Sequence, residues 1–403
     1  MAASQNILIL SSNTGGGHRS AANALRDSML ALPGQVSITI EDVLEHCNGL
    51  TRQMAGLYNF LLRDYQHWMK YYYWMLERLK PNESMLMFKA ALGYGKNVLR
   101  RACPDVIVSV HPMTHHFFAY ALRKLGLRDQ IPIVTVVTDP CAGFWRAWAC
   151  EDVSRYHVAS LEAKQQLIDY GVGSHKIHVS GMPVHSRFHP VEMARRRALR
   201  TEHGLDPDKF TLFINAGWAG GGNIPQIFES LAMQANQGAD LTDLQVVFLG
   251  GRNPQTIQMA SEIAMGTPFP VSVRGYTRKI EELMQLSDIM LTKCGGLTTF
   301  EALSCQLPIL ADSVTEPMPQ EARTVEYIQN KGLGVRLGTA QAIVPVLQNL
   351  MWTPDSLHTM RLNTETYARA GASDRIAAAV MDHLDTPPAS PRLITPAVSG
   401  VQC

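Results

Sequence analysis

Thr14-Gly15-Gly16-Gly17-His18 is the first stretch whose residue types suit a reaction. Three glycines after the apolar run 6–11 (NILILS) let the backbone turn sharply and approach a ligand closely. The alanine-rich stretch that follows predicts a helix, which puts His18 at a helix N-terminus. The helix dipole disfavours a protonated imidazole there, and a neutral histidine beside an open loop can serve as a general base. The plain structural alternative is a glycine turn with an incidental histidine. The third glycine of a dinucleotide fingerprint and the lysine of a P-loop are both missing, which argues against dinucleotide and NTPase chemistry. Asp139, in T-D-P after the run 133–137, could orient or charge-stabilise His18, or cap the next helix. His111-Pro112 ends another strand-like run on the same expected sheet edge, and Trp145 and Trp148 follow Asp139 closely.

A second group of candidates lies in the other half of the chain. Gly217-Trp218-Ala219-Gly220-Gly221-Gly222 follows a strand-like run and precedes a helical one. Unpaired N–H groups at such a helix start suit a diphosphate. Lys293-Cys294-Gly295-Gly296-Leu297-Thr298-Thr299-Phe300-Glu301 repeats the strand, glycine turn and helix. Glu301, inside that helix, could accept from ribose hydroxyls; its alternative is a solvated helix face. Gln320 and Glu321 offer hydrogen-bonding groups at a cleft edge, or form a capping turn. No metal is expected. The stretch His111-Pro112-Met113-Thr114-His115-His116 lacks an acidic partner, and Asp206-Pro207-Asp208 reads as a turn before a strand.

These loops need elements to hold them. Apolar runs at 6–11, 36–40, 106–110, 133–137 and 157–159 alternate with helical stretches, and the pattern restarts at 210–215, 245–249, 271–274, 289–292 and 308–311. That is α/β organisation with a parallel sheet in each half. At roughly 150 residues per domain, 403 residues suit two domains. The expected bounds are 1–190 and 191–385, with a Pro/Ser-rich tail at 386–403 expected to be disordered.

Composition narrows the classes. A net charge of +1 argues against nucleic acid as a partner. Seven unpatterned cysteines read as reduced thiols of a cytoplasmic protein. No apolar run reaches the roughly 18 residues that span a bilayer, so membrane contact is expected to be peripheral. Residues 52–101 stand apart, with nine Lys/Arg against three Asp/Glu and ten of the thirty aromatics. That composition suits an interfacial membrane anchor facing anionic lipid; its alternative is a helical layer packed on the sheet.

The ordered motifs S-N-T-G-G-G-H-R-S (12–20), P-D-V-I-V-S-V-H-P (104–112), V-T-D-P (137–140), G-M-P-V (181–184), the Gly217 loop, G-Y-T (275–277), T-K-C-G-G-L-T-T-F-E-A (292–302) and P-Q-E-A (319–322) resemble the monogalactosyldiacylglycerol synthase family of glycosyltransferases. More distantly they resemble processive diacylglycerol glucosyltransferases and the lipid-linked N-acetylglucosaminyltransferase of peptidoglycan synthesis. The likeness spans roughly residues 6–380. It implies the GT-B fold, two Rossmann-like domains facing across a cleft, and inverting transfer of galactose or glucose from a UDP-sugar to diacylglycerol, with no further cofactor. Carried onto this chain, His18 is the base, assisted by Asp139, and Gly16, Gly17, His111, Pro112 and Trp145 form the acceptor side. Gly217, Gly220, Gly221, Gly295 and Gly296 cradle the diphosphate, and Thr298 belongs to the same UDP-sugar site. Gly275 and Tyr276 border the uracil, Glu301 binds the ribose, and Gln320 and Glu321 face the sugar. Residues 52–101 fall where the family places a membrane-facing insertion. One departure concerns the acceptor: plant-like members carry H-P-T-W after T-D, where this chain has Ala142-Gly143-Phe144-Trp145. Alternatives are another acceptor, a UDP-N-acetylhexosamine donor, or a non-catalytic lipid- or nucleotide-binding protein of the same fold.

Overall fold

The computed structural model describes residues 5–217, 222–314 and 317–385. The chain divides into two compact units, the first holding 5–60, 70–186 and 371–385, the second 61–69 and 187–370.

The first unit is built on six parallel strands: β1 (Gln5–Ser11), β2 (Val36–Asp42), β3 (Val106–Ser109), β4 (Ile133–Val136), β5 (Arg155–Val158) and β6 (Ile177–Val179). Their order is β2-β1-β3-β4-β5-β6. The central strands are buried on both faces, as continuous apolar runs such as VIVS require. Order reverses between β1 and β3, because β1 is followed in sequence by β2 on one side and then by β3 on the other. The carboxyl ends of those two strands therefore frame the crevice of the first sheet.

The second unit repeats the plan with β7 (Phe210–Asn215), β8 (Leu244–Leu249), β9 (Val271–Arg274), β10 (Ile289–Thr292), β11 (Ile309–Asp312) and β12 (Gly334–Leu337), ordered β12-β11-β10-β7-β8-β9. Here order reverses between β7 and β10. The GT-B architecture expected from sequence is what the structure shows.

The expected boundaries differ in two places: residues 61–69 fall with the second unit, and the C-terminal helix falls with the first. Helix Ala372–Asp385 belongs to the first unit. Its Ile376, Ala377 and Val380 share a core with Ala21, Ala22, Leu25 and Met29 of helix α1 (Gly17–Ala31). The reason is local: Arg369 and Gly371 take left-handed backbone (φ 49° and 75°), which ends the preceding helix and redirects the chain. The small alanines of α1 then permit close helix packing. The tail 386–403, expected to be disordered, lies outside the described residues. Cys47, Cys141, Cys150, Cys294 and Cys305 are free thiols.

Candidate active site

In the first unit the glycine loop leaves the carboxyl end of β1 at the point where strand order reverses. Gly15 and Gly16 are both left-handed (φ 69° and 79°), a pair of conformations that side-chain-bearing residues rarely adopt. They deliver the chain into α1, where His18 is the second residue.

The half-buried imidazole of His18 is held by one nitrogen. Its Nδ1 lies 2.7 Å from the carbonyl oxygen of Val110, just beyond β3, and 2.9 Å from Thr138 Oγ1. A carbonyl only accepts, so Nδ1 carries the proton and donates it, and Nε2 keeps its lone pair. The His111 ring packs edge-on against His18 with centroids 4.7 Å apart, and Trp148 stands tilted at 6.3 Å. His111 Nδ1 accepts the Met113 N–H at 3.2 Å. Burial lowers the His18 pKa from 6.5 to about 4, against the raising effect of the Val110 carbonyl. The neutral histidine expected from sequence is present, and burial is its main cause.

Asp139 does not orient His18 by a direct hydrogen bond. It makes no hydrogen bond to His18 among the described residues; its Oδ2 accepts Trp148 Nε1–H at 2.7 Å. The orienting acceptor for His18 is the Val110 carbonyl. A carboxylate in that place would instead raise the imidazole pKa. Burial raises the Asp139 pKa to about 6, partly offset by the Trp148 bond. Asp139 thus touches the base at one remove, by fixing Trp148. Pro112 is half-buried in the turn after β3, and Trp145 is 9% exposed, opening the short helical turn that carries Trp148.

A pH prediction follows from these shifts. If Nε2 must be unprotonated, kcat/KM should stay flat as pH falls from about 8 to about 5, and decline only toward about 4. A midpoint near 6.5 would remove the buried base. Stability carries its own sign. His18 has a lowered pKa in the fold, so below about 6.5 the unfolded chain binds the extra proton and stability falls with pH. His111, lowered by burial, adds to that loss. Asp139 acts oppositely: its raised value gives a contribution that is present below 3.8 and is lost as pH rises through about 6.

His115 and His116 point elsewhere. With Cys150 they bring three possible metal-ligating atoms within 4.8 Å of one another. Both Nε2 atoms, however, meet the Ala147 carbonyl at 3.0 and 2.8 Å, so both carry protons donated to it. Asp206 Oδ1 accepts the Asp208 N–H at 2.9 Å, the turn expected of D-P-D.

In the second unit the candidate donor residues line the carboxyl edge of the sheet. Gly217 (φ 78°) follows β7, Gly275 and Tyr276 follow β9, and Gly295-Gly296 follow β10 at the start of helix Gly296–Ser304. The Gly217 and Gly295 turns thus flank this sheet's own point of order reversal. Tyr276 is 54% exposed, and the Arg252 guanidinium lies 4.3 Å over its ring, a pairing that no sequence motif pointed to. Thr298 is half-buried. Glu301 is 8% exposed, so the solvated-face alternative fails. Glu321 is equally buried and its Oε2 accepts the Met318 N–H at 3.3 Å, capping helix Pro319–Asn330. Gly220, Gly221 and the Gln320 side chain lie outside the described residues.

The Monogalactosyldiacylglycerol (MGDG) synthase family profile matches residues 18–184. Monogalactosyldiacylglycerol synthase 3 of Arabidopsis thaliana is 31% identical over 339 residues, covering 82% of this chain and 70% of the relative. The chain belongs to the monogalactosyldiacylglycerol synthase family. A probable monogalactosyldiacylglycerol synthase 2 of Oryza sativa subsp. japonica is 30% identical, covering 83% of this chain and 71% of its own length. The processive diacylglycerol beta-glucosyltransferase of Bacillus licheniformis is 25% identical over 95% of this chain and 96% of that protein. Among solved structures, Acinetobacter baumannii MurG superposes with a TM-score of 0.62 at 12% identity, covering 94% of this chain and 99% of that one. Anabaena Alr3699/HepE in complex with UDP and glucose gives 0.57 at 14%, covering 94% and 99%. These two likenesses show the fold. A member of this family is a glycosyltransferase, and the residues above are its candidate machinery.

Proposed function

We propose that this family member transfers galactose or glucose from a UDP-sugar to the free hydroxyl of diacylglycerol, with inversion at the anomeric carbon. The observation that carries the reading is the His18 tautomer: Nδ1 is tied to the Val110 carbonyl, leaving an Nε2 lone pair at the crevice of the acceptor-side sheet. The acceptor oxygen attacks the anomeric carbon as Nε2 takes its proton, and the bond from that carbon to the diphosphate breaks. The new C–O bond forms on the opposite face, and UDP departs with the electron pair. N–H groups at the Gly296 helix start stabilise that growing negative charge. Glu301 accepts from the ribose hydroxyls, and Gly275 and Tyr276 border the base. No cofactor beyond the sugar nucleotide is invoked. Names of the relatives support diacylglycerol as acceptor, and the UDP and glucose bound to a structural neighbour support the donor class.

The test is product identification from purified protein, diacylglycerol vesicles, and UDP-galactose or UDP-glucose. A β-linked glycolipid is expected. No transfer from either donor, with UDP still bound, would instead favour the non-catalytic binder.

We further place the protein peripherally on an anionic membrane. No helix among the described residues is long and apolar enough to cross a bilayer. Helices Gly49–Asp64 and Met69–Leu79 instead leave Leu57, Phe60, Tyr71, Trp74 and Leu79 between 44% and 68% exposed, within the basic stretch 52–101. Large side chains of this kind gain most by entering the lipid interface. The double variant Phe60→Ser/Trp74→Ser should bind anionic vesicles about tenfold more weakly in co-sedimentation. Unchanged sedimentation would reduce these helices to surface packing.

A further inference from the structure

Among the described residues, the glycine loop that delivers His18 is held by side-chain hydrogen bonds to its backbone. Two residues do this, and neither belongs to the loop. Glu45 Oε1 accepts from Ser12 Oγ and from the Asn13 N–H, both at 2.9 Å. Asn59 closes the other end with both halves of its amide: Oδ1 accepts the Gly15 N–H at 3.1 Å, and Nδ2 donates to the Asn13 carbonyl at 3.1 Å. A single side chain thus bridges the loop on either side of Thr14. His18 follows Gly15 by only three residues, through two left-handed glycines. Where Asn59 holds the loop therefore sets where α1 begins and where the imidazole stands.

Asn59 comes from helix Gly49–Asp64. Thr51 and Ala55 are buried on the same helix, with Asn59 continuing their stripe at helical spacing. Leu50, Leu57 and Phe60 are exposed to 52%, 44% and 45% on the other side. One face of the helix thus meets the surroundings while the other grips the loop of the candidate base.

We infer that Asn59 is a positioning residue for transfer: it fixes the loop so that His18 Nε2 meets the acceptor hydroxyl. This rests on the reading of His18 as base. The test compares wild type with Asn59→Ala for kcat, donor KM, UDP affinity and vesicle binding. The expected result is a kcat lowered about tenfold, from loss of two hydrogen bonds that align the base, with donor KM, UDP affinity and vesicle binding unchanged. An unchanged kcat in a transferring enzyme overturns the inference. So does a parallel loss of UDP or vesicle binding, which marks a structural role. If wild type itself transfers no hexose, the underlying reading fails instead. Should Asn59→Ala not fold, Asn59→Asp, which keeps the acceptor for Gly15, carries the same comparison.

Discussion

Replacing His18 with alanine is expected to slow hexose transfer about 1,000-fold while leaving UDP affinity unchanged. The size follows from what the acceptor lacks without a base. A lipid hydroxyl is a weak nucleophile, and the proton must leave as the new C–O bond forms. Nothing among the immediate neighbours takes over that task. His111 uses Nδ1 to accept the Met113 N–H, so its remaining nitrogen carries a proton. Asp139 is held by Trp148. Steady-state kinetics with diacylglycerol vesicles, set beside UDP titration calorimetry, separates the two effects. A variant that transfers within about tenfold of wild type would show that the proton leaves by another route.

Trp148→Ala should cost about 4 kcal/mol of stability, the largest loss we expect from one residue near the site. Trp148 is fully buried and packs near both His18 and His115, at 6.3 and 6.4 Å between ring centroids. Its deletion leaves a cavity beside the base and removes the partner of the Asp139 carboxylate. Trp148→Phe dissects the two contributions: it keeps most of the ring but drops the N–H, at an expected cost of about 2 kcal/mol for a buried acceptor left unpaired. Denaturant unfolding of both variants should rank alanine well below phenylalanine. Equal losses would mean that the hydrogen bond, not the packing, matters; a loss under about 1 kcal/mol for alanine would mean that the pocket collapses around the gap.

The sequence alone was enough for the architecture and for the loops that matter. Apolar runs separated by helical stretches require buried parallel strands, and ten of the twelve strands lie on such runs. The two that escaped, β6 and β12, are edge strands of the segments IHV and GVRL. Both are also short, three and four residues with one buried residue each, and IHV and GVRL are interrupted by polar or glycine positions, so no apolar run marks them, whereas the edge strands β2 and β9 keep one. Helix Ala372–Asp385 was misassigned for a related reason: its apolar stripe says that it packs on something, but not on which unit.

The chemistry of the site divides in the same way. Residue types and spacing singled out His18, the glycine turns and Glu301, because left-handed turns and helix starts leave local signatures. Orientation came only from the tertiary structure. The proton on His18 Nδ1 is fixed by Val110, 92 residues away in sequence, and the loop is held by Asn59, 44 residues from Gly15. A backbone carbonyl has no residue type, and a lone asparagine on a helix is unremarkable in sequence. Partners of that kind are chosen by which strands and helices become neighbours, and that follows from packing the whole sheet.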